Sequence, residues 1–124
     1  MKLTVQRIFD VTQVLALIIN EKRPLPGKGV YRVARMHAKL FSEFTTINDQ
    51  RTAKVMSYGH KNEDGLDAVP DDKMEEFVAW WADIASVEVE APIEPIPIDQ
   101  LAIDGQESSI SFAEFVVLDN LVEG

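Results

Sequence analysis

"SVEVEAPIEPIPIDQLAIDGQ", residues 86–106, alternates apolar residues with acids, carries three prolines and has no lysine or arginine. Its first half has the period of two that belongs to a strand: Val87, Val89, Ala91 and Ile93 face one way, Glu88 and Glu90 the other. Pro92 cannot donate to a ladder, so the strand is expected at a sheet edge or at a bulge. An apolar strand face needs a cover, and the other convincing strand is "KLTVQ" (2–6). Pairing the two would put Leu3 and Val5 beside Val87 and Val89 on a helix-packed face. Lys2 would then share the outer face with Glu88 and Glu90. After Ile93 the apolar phase slips by one residue to Ile96 and Ile98, which predicts a bulge or bend at Glu94-Pro95. Two strands alone are marginal. Helices must cover them, and either "PIPID" or a dimer mate is expected to add a third.

Outward from that pair the period becomes helical. Ile8, Val11, Val14, Leu15 and Ile18 predict a first helix ending near Asn20. "EKRPLPGKG" breaks it with Pro24 and Pro26 and forms a tight lead-in to the next. Val30, Val33, Ala34, His37, Leu40, Phe41, Phe44, Ile47, Val55 and Tyr58 keep one face of a long helix over 30–58. A kink or break is expected near "TTIND", where Thr45, Thr46, Asn48 and Asp49 are poor mid-helix residues. "GHKNEDGLDAVPDD" reads as a polar loop. Asp72 with Glu75 predicts a capping box for a third helix, whose stripe is Met74, Phe77, Val78, Trp81, Ile84 and Ala85. A second box, Ser111 with Glu114, and an Ile110–Phe115 staple open a last helix running from Phe112 to about Val122.

A chain of 124 residues is the size of one domain and can bury about two thirds of its unfolded surface. It has no cysteine, which excludes disulfides and thiolate chemistry and fits a reducing compartment. The longest apolar run, "VLALII" (14–19), is far short of a bilayer span. Asp10 and its polar neighbours interrupt what a signal peptide would need as an apolar core. The net charge of −9 hides an asymmetry: +6 over residues 1–59 and −15 over 60–124, with no basic side chain after Lys73. The halves are expected to complement each other or a basic partner, or to leave a solvated acidic surface.

Candidate chemistry is sparse. His37 lies within the apolar stripe and reads as a hydrogen-bonded, mostly buried histidine. "HKNEDGLDAVPD" (60–71) has Asn62, Asp64 and Gly65 at the third, fifth and sixth positions of a calcium loop. However, His60 replaces the first aspartate and Asp71 the last glutamate, so an ordinary turn is expected and no metal. "PGKGV" lacks the strand and Lys-Ser/Thr pair of a phosphate loop. Lys28, Arg32, Arg35 and Lys39 line one side of the long helix. The acidic balance and the lack of interleaved aromatics argue against nucleic acid there. Trp80 and Trp81 point about 100° apart on a helix, so Trp80 is either a boundary residue or an anchor for a partner. No motif supports catalysis or a cofactor.

The order of "LPGKGVYRVAR" (25–35), "NDQRTAKVMSYG" (48–59), a turn at "DG", "MEEFVAWW" (74–81) and "VEVEAPIEPIPIDQL" (87–101) resembles a group of small tailed-phage proteins of unknown function, encoded among structural and late genes. The resemblance covers roughly residues 1–103 and implies a phage origin and a protein–protein role. The expectation is one α+β domain over 1–124, mostly helical. Three to four helices pack on a small sheet formed by the N-terminal strand and the 87–93 strand. The expected function is that of a non-enzymatic phage accessory or structural protein that binds other proteins in the virion or its assembly. The alternative is an inhibitor of a host defence or host enzyme acting through an acidic surface that mimics nucleic acid. Candidate partner-binding residues are Trp80, Glu88, Glu90, Arg32 and Arg35. The partners expected are phage structural proteins or a host target, met in the host cytoplasm or the virion, with no membrane and with room for a homo-oligomer.

Overall fold

Thr4 decides where the first strand stops. Its extended backbone and its hydroxyl, which accepts a hydrogen bond from the Arg7 N–H at 3.1 Å, cap a helix that begins at once. The computed structural model describes residues 1–103 and 105–124 and gives β1 as Lys2–Thr4 and α1 as Val5–Asn20. Val5 therefore opens a helix instead of closing a strand. Val5, Ile8, Val11, Thr12, Leu15 and Ile18 form the buried stripe of α1. Lys22, in the left-handed region at φ 51°, turns the chain out, and Pro24 and Pro26 keep it extended.

α2, Gly27–Ser57, runs 31 residues without interruption. The break expected at 45–49 does not occur. Thr46 donates its hydroxyl to the Ser42 carbonyl at 3.2 Å, while Asn48 and Asp49 keep their side chains in water. Buried Ile47 continues the inward line of Gly29, Val33, Met36 and Leu40, and Phe9 of α1 stacks on Phe44 at 5.5 Å. Propensity losses of a few tenths of a kcal/mol per residue yield to that packing. Val30, Ala34 and Phe41, expected on the buried face, are exposed, and Met36 takes their place.

A short hairpin follows, β2 (His60–Lys61) against β3 (Asp67–Ala68). The Asn62 side-chain oxygen accepts from the Asp64 and Leu66 N–H groups at 2.9 and 3.0 Å, and Gly65 takes φ 77°. This is the turn expected of "NEDG". α3, Met74–Ala85, is preceded by a 3-10 turn over Asp71–Lys73, which puts Asp72 inside that turn. Lys73 becomes the cap residue and the Asp72–Glu75 box does not form. Only Phe77 of this helix is buried; Trp81 and Ile84 pack on the core, while Met74 and Val78 stay 44% and 57% exposed.

β4, Glu88–Glu90, pairs antiparallel with β1 in the register Lys2↔Glu90, Leu3↔Val89, Thr4↔Glu88. Backbone bonds Val5 N–H to Val87 O (2.9 Å) and Ala91 N–H to Met1 O (2.7 Å) extend the ladder at both ends. Lys2 thus shares the outer face with the two glutamates, and Leu3 is buried opposite half-buried Val89. Val87 lies beyond the strand and is 52% exposed. Ala91 and Ile93 continue inward on either side of Pro92, where the Ile93 N–H donates to the Ala91 carbonyl at 2.9 Å, and Ile96 returns to the core while Ile98 does not.

"PIPID" does not join that sheet. β5, Ile96–Pro97, pairs in parallel with β6, Val122–Glu123, at the C-terminus. α4 is accordingly short, Phe112–Val117, and opens on the expected Ser111–Glu114 capping box. Asn120 at φ 67° reverses the chain after Leu118, so that Leu121 is fully buried and Val122 reaches β5. The result is α+β, mostly helical, with one core shared by α1, α2, the 91–101 segment and the C-terminal strand. Among the described residues no helix is long and apolar enough to cross a membrane.

Candidate functional site

From Lys22 to Ser42 the chain has six basic residues and no acid. The first third of α2 sorts four of them onto one flank, because Lys28, Arg32, Arg35 and Lys39 are spaced by four, three and four residues. That flank adjoins the buried line of Gly29, Val33, Met36 and Leu40. The facing wall comes from residues 93–100, which cross α2 after leaving β4.

Gly29 makes this crossing close. A Cβ built there would lie 1.7 Å from the Gln100 carbonyl oxygen and 2.9 Å from its carbon. No side chain fits, so the helix backbone and the 98–101 segment meet directly. Leu101, 1% exposed, is held in the core just beyond.

Two hollows lie along this flank. A narrow hollow of about 60 Å³ is lined by Arg32, Arg35, Met36, Lys39, Ile93, Glu94 and Ile96. A wider hollow of about 510 Å³ is lined by Gly27, Lys28, Tyr31, Arg32, Arg35 and Gln100. Arg32 and Arg35 border both. Tyr31 is 61% exposed at the open side, and its hydroxyl accepts from Arg35 Nη1 at 3.2 Å.

The electrostatics set this flank apart. Among the described residues, no carboxylate oxygen lies within 4.0 Å of Lys28, Arg32, Arg35 or Lys39. Lys2 and Lys22 likewise have no carboxylate of the described residues within that distance, and Arg7 donates to the Val117 and Asp119 carbonyls, but the remaining cations are engaged. Arg23 pairs with Glu21 and Glu114, Lys54 and Lys73 with Glu76, and Lys61 with Asp67. Arg51 lies over three aromatic rings, 4.6 Å from Trp81, 5.2 Å from Phe77 and 5.4 Å from Phe9. Glu94 lines the narrow hollow without closing onto a partner. The other wall residue, Gln100, has its side-chain oxygen buried and without a hydrogen-bond partner. One wall therefore offers donors, ammonium and guanidinium, and the other an exposed carboxylate, that of Glu94.

The five residues singled out in the sequence do not converge. Arg32 and Arg35 stand in the groove. Trp80 is half-buried on α3 beside Phe77 and Trp81, 5.8 Å from the Lys54 ammonium. Lys54 is 22 residues beyond Arg32, about 33 Å along the helix axis. Glu88 and Glu90 are exposed on β4, and Glu90 is taken by the N-terminal ammonium at 2.9 Å. Glu94, not either of those, is the acid beside the basic stripe. His37 lies on a different flank, half-buried, with its ring 5.4 Å from Phe41; partial burial lowers its pKa. It is less enclosed than its place in the apolar stripe implied, because that flank of α2 is open. Among the described residues, no three His, Asp or Glu side chains converge to hold a metal.

Tyr31 and Gln100 escaped sequence reasoning as members of this site, whereas the acids of residues 87–99 were expected near Lys2 and this stripe, as Glu94 is. The acid-free run 22–42 was the available signal for the donor wall. Nothing local pointed to Gln100 in the facing wall, which exists only because residues 93–100 lie on α2. Comparison with known proteins finds no matching family, no matching curated protein and no matching solved structure.

Proposed function

We propose that the chain is a protein-binding module, a phage accessory or structural protein, that docks an acidic surface of its partner through the basic flank of α2. The observation that carries this reading is the row Lys28, Arg32, Arg35 and Lys39, left without carboxylate partners in a chain holding 21 acids. The net charge of −9 does not cancel it. At physiological ionic strength charges are screened over about 8 Å, so an approaching surface feels the local row more than the distant acids. Such a row speeds encounter and selects against basic partners more than it adds affinity. The tailed-phage resemblance points to the same class of role, in the virion or its assembly. Mass spectrometry of purified virions from a phage encoding the chain tests that placement. The chain should be present, and lost from particles when Arg32 and Arg35 are both replaced by Glu; absence of the unaltered chain from every particle refutes it.

A host-directed inhibitor would use the other charge. Glu94 and Asp99 are exposed along the crossing segment and Glu88 on β4, in a half of the chain with a balance of −15. Capture of a host nucleic-acid-binding protein, abolished by Glu88→Lys and Asp99→Lys but untouched by the arginine changes, would favour that reading instead.

A further inference from the structure

We propose that the groove between α2 and residues 93–100 takes an extended peptide segment of another protein that carries carboxylates at alternate positions. This rests on the protein-binding reading above and names the ligand class. The spacing supports it. Cations four residues apart on a helix stand about 6 Å apart along its axis, as Lys28 and Arg32 do, and Arg35 and Lys39. Alternate side chains of an extended peptide lie on one face about 6.6–6.8 Å apart. The row from Lys28 to Lys39 spans about 16 Å, the length of about six extended residues. A peptide helix with acids four apart would present charge at a similar spacing, but at about 10 Å across it is the bulkier of the two ligands.

The two walls distinguish a peptide from a nucleic acid. A peptide backbone presents N–H donors as well as acceptors, whereas a phosphodiester backbone presents acceptors alone. The wall opposite the cations carries the Glu94 carboxylate and the Gln100 side-chain oxygen, which has no donor of its own. The exposed Glu94 carboxylate can receive a peptide N–H there while the acidic side chains face Lys28, Arg32, Arg35 and Lys39; the buried Gln100 oxygen is not open to the ligand. A phosphate strand has no N–H donor to offset its repulsion by Glu94, as a peptide backbone has. It would find Tyr31 as the single exposed ring along the groove, where sequence-tolerant strand binding uses successive stacking platforms.

Fluorescence anisotropy on the full chain provides the test, with three labelled probes at low and physiological salt. The first is a peptide of alternating Glu and Ser. The second has the same composition with its Glu residues in one block. The third is an oligothymidylate of equal charge. The alternating peptide should bind about tenfold tighter than the blocked one, the effect of placing a few ion pairs correctly. It should lose at least that factor in the double variant Arg32→Gln, Arg35→Gln. Both arginines are exposed, and an unchanged circular dichroism melt establishes that the variant is folded. Equal binding of the two peptides, still dependent on Arg32 and Arg35, overturns the extended-segment inference and leaves the acidic-partner reading standing. Tighter binding of oligothymidylate than of either peptide, or no binding of any probe at either salt, overturns both.

Discussion

Gly29→Ala should destabilise the protein although alanine is the better helix former. Gly29 sits in the first turn of α2 and is buried against the backbone of Gln100. The added methyl carbon would stand 1.7 Å from a carbonyl oxygen, so the helix and the 98–101 segment must part by more than 1 Å. Neither side is a flexible side-chain tip that can swing away. Alanine contributes up to about 1 kcal/mol through helix propensity. Against it stand overpacking at about 1–3 kcal/mol and partial withdrawal of Leu101 from the core, where loss of a buried leucine costs about 2–5 kcal/mol. The net expectation is a loss of about 2–3 kcal/mol, a fall in Tm on the order of 10 °C for a chain of this size. Gly27→Ala is the control, because a Cβ there meets nothing within 4 Å; it should be neutral or slightly stabilising. Urea denaturation of both variants measures the difference. If Gly29→Ala is as stable as the parent, or gains what Gly27→Ala gains, the close crossing that shapes the groove is not there.

Glu114 ties the C-terminal segment down through Arg23, both side chains being about 15% exposed or less, and this guanidinium with the Ser111 cap holds its pKa down to about 2 from 4.5. Since the folded value is the lower one, its stabilisation is complete above pH 4.5 and fades as pH falls toward 2. Glu114→Gln should therefore cost about 1–2 kcal/mol at neutral pH, and the two stability curves should converge at acid pH; a constant gap down to pH 2 would sink the argument. Trp81 donates its indole N–H to the Gln6 side chain at 2.7 Å and packs on the core, so Trp81→Ala should cost about 3–5 kcal/mol. Trp80→Ala should cost clearly less in the same denaturation assay, and equal losses would make the two rings equivalent. Hydrogen exchange should show slowed amides at Val5 and Ala91, which donate across the β1–β4 ladder; free exchange at both would reject the pairing.

Much of the architecture is legible in single stretches. The alternation of Val87, Val89, Ala91 and Ile93 and the 3–4 spacing of α1 name a strand and a helix without any partner in view. Ser111 and Glu114 lie three residues apart, so their capping box depends on nothing distant. The pairing of β1 with β4 followed because few other segments could cover that face. Legibility failed where a local preference met a distant contact. Thr45, Thr46, Asn48 and Asp49 argue for a break that burial of Ile47 overrides. Asp72 suits a cap, but the 3-10 turn absorbs it. The last helix ends early because Leu121 is drawn into the core and Val122 onto β5.

The same division runs through the candidate site. The donor wall is a property of the sequence, since helical spacing alone puts Lys28, Arg32, Arg35 and Lys39 on one flank. Periodicity specifies which face of an element is apolar or charged, because the backbone geometry that orients side chains is local. It does not specify what lies across from that face, which depends on how the whole core closes. Only the tertiary structure brings Glu94 and Gln100 opposite the cations, carries Trp80 to the far end of α2, and shows why residue 29 has no room for a side chain.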